Sequence, residues 1–277
     1  MTSKNVNNIC VIGAGTMGRG IAQVFALYNY PVILIDKDMS VLKGAIEKVK
    51  ERTLPELWNK VSVLIKTSTD MSEAGECDLV IEAVYEELKI KKEVLKTINR
   101  ICRKDTIIAT NTSALSIDEL AKSIDDRSRF IGMHFMNPPK VMKLVEVIKG
   151  AKTSDETISI ITDLIRAIDK VPAFSKDSPG FISNRLLFAL IGEAIRLLES
   201  GVAEKDDIDN VMKFGMKHPM GPIELADFIG LDVCMEIMQT LYESLGDERY
   251  KPTPLLEYLV KNGKLGRKTK EGFYRYG

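Results

Sequence analysis

Apolar and polar positions in the first half of the chain alternate between two patterns. Short, continuous apolar runs rich in β-branched residues occur at 8–15, 31–36, 77–84, 106–113 and 129–135. Stretches with the spacing of amphipathic helices fill the gaps, for example at 19–29 and 86–102. Apolar strands that alternate with helices are typical of a parallel sheet covered by helices on both faces. The pattern therefore predicts an α/β domain.

A sixth apolar run, KLVEVI at 143–148, follows the fifth run after a short loop. The loop is too short for a helical crossover, so we expect the run to pair antiparallel or to lie at an edge of the sheet. Beyond VPAFSKD at 171–177 the spacing is helical, with no further strand pattern. We expect a helix over 178–201, with Ser178 as its cap and Gly201 at its end.

These patterns predict two domains, divided between residues 177 and 178. The first, at 1–177, is a doubly wound, mostly parallel α/β domain, and the second, at 178–277, is all-helical. A composition of 45% hydrophobic residues can supply a sizeable core for a chain of 277 residues.

Glycines mark the junction between the first strand and the first helix. GAGTMG places Gly13, Gly15 and Gly18 in G-x-G-x-x-G spacing, and Asp36 ends the next strand. The glycines let the backbone approach a pyrophosphate, whose charge would face the helix amides near Gly15 and Thr16. The spacing in this context predicts a dinucleotide site in a Rossmann-type domain. A structural turn beside an ordinary aspartate is the alternative.

The acidic residue after the second strand bears on which cofactor binds. Asp36 would accept hydrogen bonds from the ribose hydroxyls and would repel a 2′-phosphate, which favours NAD over NADP. The neighbouring Lys37 makes that preference less strict. Arg19, directly after the third glycine, could reach a phosphate or could be a solvated helix residue.

Charge and cysteine content exclude several classes of protein. Lysine plus arginine equals aspartate plus glutamate at 39 each, which argues against a nucleic-acid binder. No apolar run approaches the length of a membrane span, and the chain start lacks a signal-peptide pattern. The four cysteines have no C-x-x-C spacing, so no metal site is predicted. Reduced, buried thiols fit a cytoplasmic protein.

One histidine and one carboxylate lie in adjacent apolar runs. His134 is near the end of the fifth strand, where ligands bind in open α/β sheets, and the loop MNPPKVM can bring Glu146 back toward it. A dehydrogenase needs a base for the alcohol proton, and a carboxylate beside a histidine orients its ring. Taken singly, a satisfied core histidine and an outward-facing glutamate are the simpler interpretations. Together they predict a catalytic pair.

In these residues and in several longer stretches, the chain resembles the 3-hydroxyacyl-CoA dehydrogenase family, close to its 3-hydroxybutyryl-CoA dehydrogenases. The resemblance covers nearly the whole chain, and HFMNPPKVMKLVEV and HPMGPIELADFIGLD are far more diagnostic than the glycine loop. The other matching stretches, in addition to these two, are IGAGTMGRGIAQVFA, DLVIEAVYEELKIKKEV, NTSALSI, SPGFISNRLL and LGRKTKEGFYRY.

The resemblance implies reversible oxidation of an (S)-3-hydroxyacyl-CoA by NAD, with His134 as base and Glu146 as its partner. It also implies substrate contacts from Ser113 and Asn184 and a homodimer formed through the helical domain. Fatty-acid or butyrate metabolism is the expected setting. The cofactor contacts that it implies are Gly13, Gly15, Thr16, Met17, Gly18, Asp36, Glu86, Lys91, Ser113, Asn137 and Lys268. Without the resemblance, a solvated helix face is the simpler interpretation for Glu86 and Lys91.

One departure bears on the substrate. The family usually carries a longer helical hairpin after the second strand, with a lysine-rich helix that meets the CoA tail, and 40–70 looks shortened here. A dehydrogenase of a free hydroxy acid or sugar acid, similar to gulonate dehydrogenases, is therefore one alternative. A non-catalytic, cofactor-binding protein of the same fold is another. Hydroxyisobutyrate-type reductases use a catalytic lysine, so the His134–Glu146 pair points away from them.

Overall fold

A computed structural model describes residues 6–277 and divides the chain into two compact units, Met1–Ser178 and Pro179–Gly277. Within the described part of the first unit, eight strands form a single sheet. They are β1 (Ile9–Ile12), β2 (Val32–Ile35), β3 (Ile65–Ser68), β4 (Leu79–Glu82), β5 (Ile107–Thr110), β6 (Phe130–Phe135), β7 (Leu144–Lys149) and β8 (Val171–Lys176).

The sheet has the strand order β3-β2-β1-β4-β5-β6-β7-β8. Neighbours from β3 to β6 are parallel, β7 is antiparallel to β6, and β8 is parallel to β7. The order reverses direction on either side of β1, which is the topological switch point where ligands bind in doubly wound sheets. The predicted α/β fold with a mostly parallel sheet is confirmed.

Helices cover the sheet because the strands are apolar on both faces. All four residues of β1 are buried, and the core continues through Phe25 and Leu34. The helices of this unit are α1 (Thr16–Leu27), α2 (Met39–Glu51), α3 (Pro55–Leu64), α4 (Leu88–Ile101), α5 (Ile117–Ala121) and α6 (Asp155–Ala167), with short 3₁₀ turns at Met71–Glu76 and Arg127–Arg129.

The second unit is helical and has its own core. Phe188, Ile195, Met238 and Leu256 are among its fully buried side chains. Its elements are α7 (Ser183–Glu199), α8 (Lys205–Asn210), a π-helical turn at Val211–Gly215, α9 (Pro222–Ile229), α10 (Leu231–Leu245), α11 (Pro254–Lys261) and 3₁₀ turns at Glu248–Tyr250 and Arg267–Thr269. No helix within residues 6–277 is long and apolar enough to cross a membrane.

A buried carboxylate fastens the end of the chain to this helical core. Asp227 on α9 accepts hydrogen bonds from the backbone N–H groups of Phe273 and Tyr274 at 2.9 and 2.8 Å, and from the Tyr276 hydroxyl at 3.0 Å. Burial raises the pKa of Asp227. The C-terminal segment is therefore held by polar contacts as well as by the packing of Phe273.

The helix predicted over 178–201 begins five residues later than expected, at Ser183. Gly180 and Phe181 have φ values of +71° and +47°, which are incompatible with a right-handed helix. The expectation that Ser178 caps the helix is therefore wrong. Gly201, with a φ of +71°, follows the end of α7 as predicted.

Two strands lie outside the predicted set. β3 forms one edge of the sheet and β8 forms the other, beside β7. The antiparallel pairing expected for the sixth apolar run is confirmed, but β8 displaces that run from the edge position.

Candidate active site

The glycine loop after β1 is shaped by close backbone contacts. A Cβ atom on Gly13 would lie 2.5 Å from the carbonyl oxygen of Ala83, and one on Gly18 would lie 1.7 Å from that of Gly13. A Cβ atom on Gly15 would meet no described atom within 4 Å. Gly13 and Gly18 therefore allow the loop to pack, whereas Gly15 leaves open space at the start of α1, where N–H groups attract an anion.

A cavity of about 690 Å³ opens beside this loop. Asp36 lies on its wall, and one oxygen of its carboxylate accepts a hydrogen bond from the N–H of Ala14 at 2.8 Å. The lining also includes Gly13, Gly15, Thr16, Met17, Lys37, Val41, Thr69, Met71, Tyr85, Ile90 and Val94. The cavity fits a dinucleotide. The start of α1 suits the pyrophosphate, the carboxylate suits a ribose, and the apolar walls suit a base.

The structure brings His134 and Glu146 together. The two residues are directly opposite each other on the antiparallel strands β6 and β7, so their side chains share one face of the sheet. Nδ1 of His134 lies 2.8 Å from Oε2 of Glu146. Glu146 is fully buried, and His134 keeps 7% of its surface exposed. The carboxylate can thus hold the ring while one edge of the imidazole stays accessible.

A second buried carboxylate, that of Glu82, holds Lys91 of α4. The ammonium group of Lys91 donates to Glu82 at 2.8 Å and to the carbonyl oxygen of Val84 at 3.2 Å, and it lies 3.2 Å from Glu86. Lys91 is 1% exposed and Glu82 is fully buried, so the solvated helix face is the wrong interpretation for Lys91. The ammonium group therefore donates to two oxygens and forms ion pairs with two carboxylates.

Glu86 connects Lys91 to the loop that contains Ser113. One oxygen of Glu86 accepts hydrogen bonds from the N–H groups of Ser113 and Ala114 at 2.7 and 3.2 Å, and from the hydroxyl of Thr112. Ser113 follows β5, at the same edge of the sheet as the end of β6. The chain of contacts from Lys91 through Glu86 therefore sets the backbone position of Ser113.

The loop after His134 is anchored from two sides. Asn111 accepts a hydrogen bond from the N–H of Phe135 at 2.9 Å. Lys170, directly before β8, donates to the carbonyl oxygens of Pro139 and Met142 at 2.6 and 2.7 Å, and burial lowers its pKa. Asn137 lies between these anchors and is exposed at the edge of the sheet.

The remaining predicted residues belong to the helical unit. Asn184 is the second residue of α7. Lys268 forms an ion pair with Asp232, with its ammonium nitrogen 2.6 Å from Oδ2. His218 is exposed, and its backbone N–H donates to the carbonyl oxygen of Met212 at 3.0 Å. The structure thus assembles the residues of the first unit around one sheet edge and places Asn184 and Lys268 in the second.

Sequence reasoning missed Glu82, Lys170 and most of the cavity wall. Glu82 had a usable signal, because it is a carboxylate inside the apolar run LVIE, as Glu146 is inside LVEVI. Ile90 and Val94 had no such signal, since apolar residues near the start of a helix are usually part of the core.

Both units match families of known description. Residues 8–178 match the NAD binding domain of 3-hydroxyacyl-CoA dehydrogenase, and residues 180–276 match its C-terminal domain. A probable 3-hydroxybutyryl-CoA dehydrogenase of Deinococcus radiodurans is 46% identical, with 96% of this chain and 99% of that protein covered. A 3-hydroxybutyryl-CoA dehydrogenase of Clostridioides difficile is 44% identical, with 97% and 99% covered.

A solved structure gives the same result. The crystal structure of (S)-3-hydroxybutyryl-CoA dehydrogenase from Ralstonia eutropha superimposes with a TM-score of 0.94 at 39% identity, covering 99% of this chain and 100% of that one. With both family matches and these full-length relatives, the chain belongs to the 3-hydroxyacyl-CoA dehydrogenase family, as an oxidoreductase whose cofactor is NAD.

Proposed function

We propose that the protein interconverts (S)-3-hydroxybutyryl-CoA and acetoacetyl-CoA, with His134 moving the hydroxyl proton. The observation that carries this proposal is the 2.8 Å contact between Nδ1 of His134 and the buried carboxylate of Glu146. The relatives named above as 3-hydroxybutyryl-CoA dehydrogenases support the choice of substrate. Residues 1–177 would then bind NAD, and residues 178–277 would serve in substrate binding and dimerisation.

The geometry of the pair assigns a role to each nitrogen of the ring. An ionised carboxylate can only accept, so Nδ1 of His134 carries the proton that faces Glu146. In the neutral imidazole with its proton on Nδ1, Nε2 has the lone pair that can take the proton of the 3-hydroxyl group. The charge of the resulting imidazolium is offset by Glu146, which stays in place because it is buried between β6 and β8.

Bound NAD supplies the hydride acceptor for this oxidation. The N–H groups at the start of α1 and the open space over Gly15 suit the pyrophosphate, and Asp36 suits the ribose hydroxyls. Glu86 and Lys91 would then act by holding the Ser113 loop. Ser113 and Asn184 are the proposed contacts of the reacting oxygen and the nicotinamide, and Asn137 and Lys268 are proposed as further cofactor contacts.

A direct assay tests the substrate. We expect loss of NADH absorbance with acetoacetyl-CoA, little with free acetoacetate, and slower turnover when NADPH replaces NADH. The carboxylate of Asp36 would repel the extra phosphate, which accounts for the last expectation.

Turnover of free hydroxy acids or sugar acids, without turnover of the CoA ester, would contradict the proposed substrate and favour the first alternative. Absence of turnover with both classes, together with tight NADH binding, would favour a non-catalytic protein.

We also propose that the protein works as a homodimer through its helical unit. Val211, Phe214 and Met216 on and beside the π-helical turn are 57%, 80% and 62% exposed. An apolar groove of about 220 Å³ lies nearby, lined in part by Leu190 and Val211. Apolar side chains exposed next to such a groove are typical of a protein–protein contact.

A further inference from the structure

Asn111, directly after β5, has a buried side-chain amide of which the described chain uses only the oxygen. Oδ1 accepts a hydrogen bond from the N–H of Phe135 at 2.9 Å, and the backbone N–H of Asn111 donates to the carbonyl oxygen of Glu82 at 2.8 Å. The residue is 6% exposed. Within residues 6–277, Nδ2 of Asn111 donates to no other group. Two N–H donors are therefore available at a buried position.

The contact with Phe135 fixes the direction of these two donors. A backbone N–H can only donate, so the amide oxygen of Asn111 faces Phe135 and the NH₂ group points away from it. The backbone of Asn111 is held at the end of β4 and its side chain at the end of β6, so the amide is fixed in place by the sheet. Because buried amide donors are usually satisfied, a ligand oxygen at this position would be stabilised.

The place of Asn111 in the sheet indicates which ligand oxygen fits. Neighbouring strands follow the order β1-β4-β5-β6, and the cofactor cavity lies at the ends of β1 and β4, lined by Gly13 and Val84. His134 is near the end of β6. A nicotinamide ring that accepts hydride beside His134 has to extend from the cavity past the end of β5, where Asn111 lies. The acceptor that such a ring offers to an NH₂ group is its carboxamide oxygen.

We propose that Nδ2 of Asn111 donates a hydrogen bond to the carboxamide oxygen of the nicotinamide, and so fixes the rotation of the ring for hydride transfer. This inference rests on the proposed function, because it takes His134 as the point that the ring must reach. Asn111 would act on the affinity and orientation of the ring, without a part in the proton transfer. A donor that is already fixed loses little entropy when the ligand binds.

The first test measures cofactor binding in the absence of substrate. NADH and ADP-ribose share the adenosine, the pyrophosphate and the second ribose, and only NADH has the carboxamide. Asn111→Ala should raise Kd for NADH by about threefold to tenfold, the typical effect of one lost hydrogen bond, and should leave Kd for ADP-ribose unchanged. The fluorescence of bound NADH and calorimetry of ADP-ribose report the two constants. Unchanged binding of ADP-ribose also shows that the variant keeps the cofactor cavity.

A modified cofactor and a second variant then locate the contact. The thionicotinamide analogue of NADH has sulfur, a weaker acceptor, in place of the carboxamide oxygen. The unaltered protein should bind this analogue about threefold less tightly than NADH, and Asn111→Ala should bind both almost equally. Asn111→Asp keeps an oxygen for Phe135 without the amide donors, and it should weaken NADH binding at least as much as Asn111→Ala. Asn59→Asp is the matched control, because Asn59 is exposed on α3 and the net charge changes equally.

Two other outcomes would overturn the inference. Equal weakening of NADH and ADP-ribose binding would mean that Asn111 shapes the cavity as a whole. An unchanged Kd for NADH, with a raised KM for acetoacetyl-CoA, would assign the amide to the substrate. The binding measurements need no turnover, so a failure of acetoacetyl-CoA as substrate, which contradicts the proposed function, is distinguishable from a failure of the inference.

Discussion

At the scale of single residues, the proposed proton transfer depends on the pairing of His134 with Glu146. The imidazole can accept a proton at Nε2 without moving, because Nδ1 is held 2.8 Å from a fully buried carboxylate. His134→Gln should lower kcat by about 100-fold or more, since loss of an acid–base group typically costs that much. An amide N–H of glutamine can still donate to Glu146, so the fold should persist.

Two measurements separate chemistry from binding in this variant. Steady-state turnover of acetoacetyl-CoA reports kcat, and NADH fluorescence reports cofactor affinity, which we expect to remain unchanged. His218→Gln provides the control, because His218 is the other of the two histidines and is exposed on the helical unit. An unaltered kcat in His134→Gln would remove His134 from the proposed mechanism.

The sequence supported some of these residue-level contacts better than others. His134 and Glu146 lie on consecutive strands joined by a short loop, so their approach needs only a hairpin register. Glu82 carries the same signal of a carboxylate in an apolar run, but its partner Lys91 is on a helix with a polar, amphipathic pattern. A lysine in such a pattern is usually solvated, and only the helix orientation on the sheet shows that Lys91 points inward.

At the scale of elements, the ion pair between Glu82 and Lys91 joins the end of β4 to α4. Both side chains are buried, at 0% and 1% exposure. Removal of one partner leaves the other charge buried, which typically costs about 3–5 kcal/mol. We therefore expect Lys91→Met to destabilise the first unit by about this amount, and the double variant with Glu82→Gln to recover most of it.

Urea unfolding can be followed in this unit through Trp58 on α3, the one tryptophan of the chain. Lys48→Met is the control, because Lys48 pairs with Glu51 on the surface of α2 at 52% and 59% exposure. Its loss should cost less than about 1 kcal/mol. If Lys91→Met proved no more costly than this control, the pair would not be a structural link between β4 and α4.

The two edge strands, β3 and β8, were not predicted from the sequence. β3 is the four residues IKTS, it begins directly after α3 without a turn signal, and its Lys66 faces solvent. β8 contains Pro172. A proline argues against a strand in an apolar run, because its nitrogen cannot donate a hydrogen bond to a neighbouring strand. At an edge that missing donor is tolerated, since β8 has a neighbour on one side only. Central strands, buried on both faces, had continuous apolar runs and were predicted.

At the scale of the whole molecule, the exposed apolar residues of the helical unit bear on its association. Val211 and Phe214 belong to the π-helical turn, and Val211 also lines the groove of about 220 Å³. In a two-fold dimer each copy offers the same surface, so the turn of one copy can fill the groove of its partner. The sequence alone did not separate these exposed apolar residues from core residues, because apolar helical spacing is common to both.

Light scattering after size exclusion tests this arrangement. The chain has a mass of 30.9 kDa, so a dimer should appear at twice that value. Phe214→Glu places a charge at the proposed contact and should shift the protein to the monomer mass, because burial of an unpaired charge is costly. Val63→Glu is the matched control, since Val63 is 82% exposed on α3 of the first unit and should leave the dimer intact. A monomeric unaltered protein, or dissociation by Val63→Glu alone, would place the association elsewhere or exclude it.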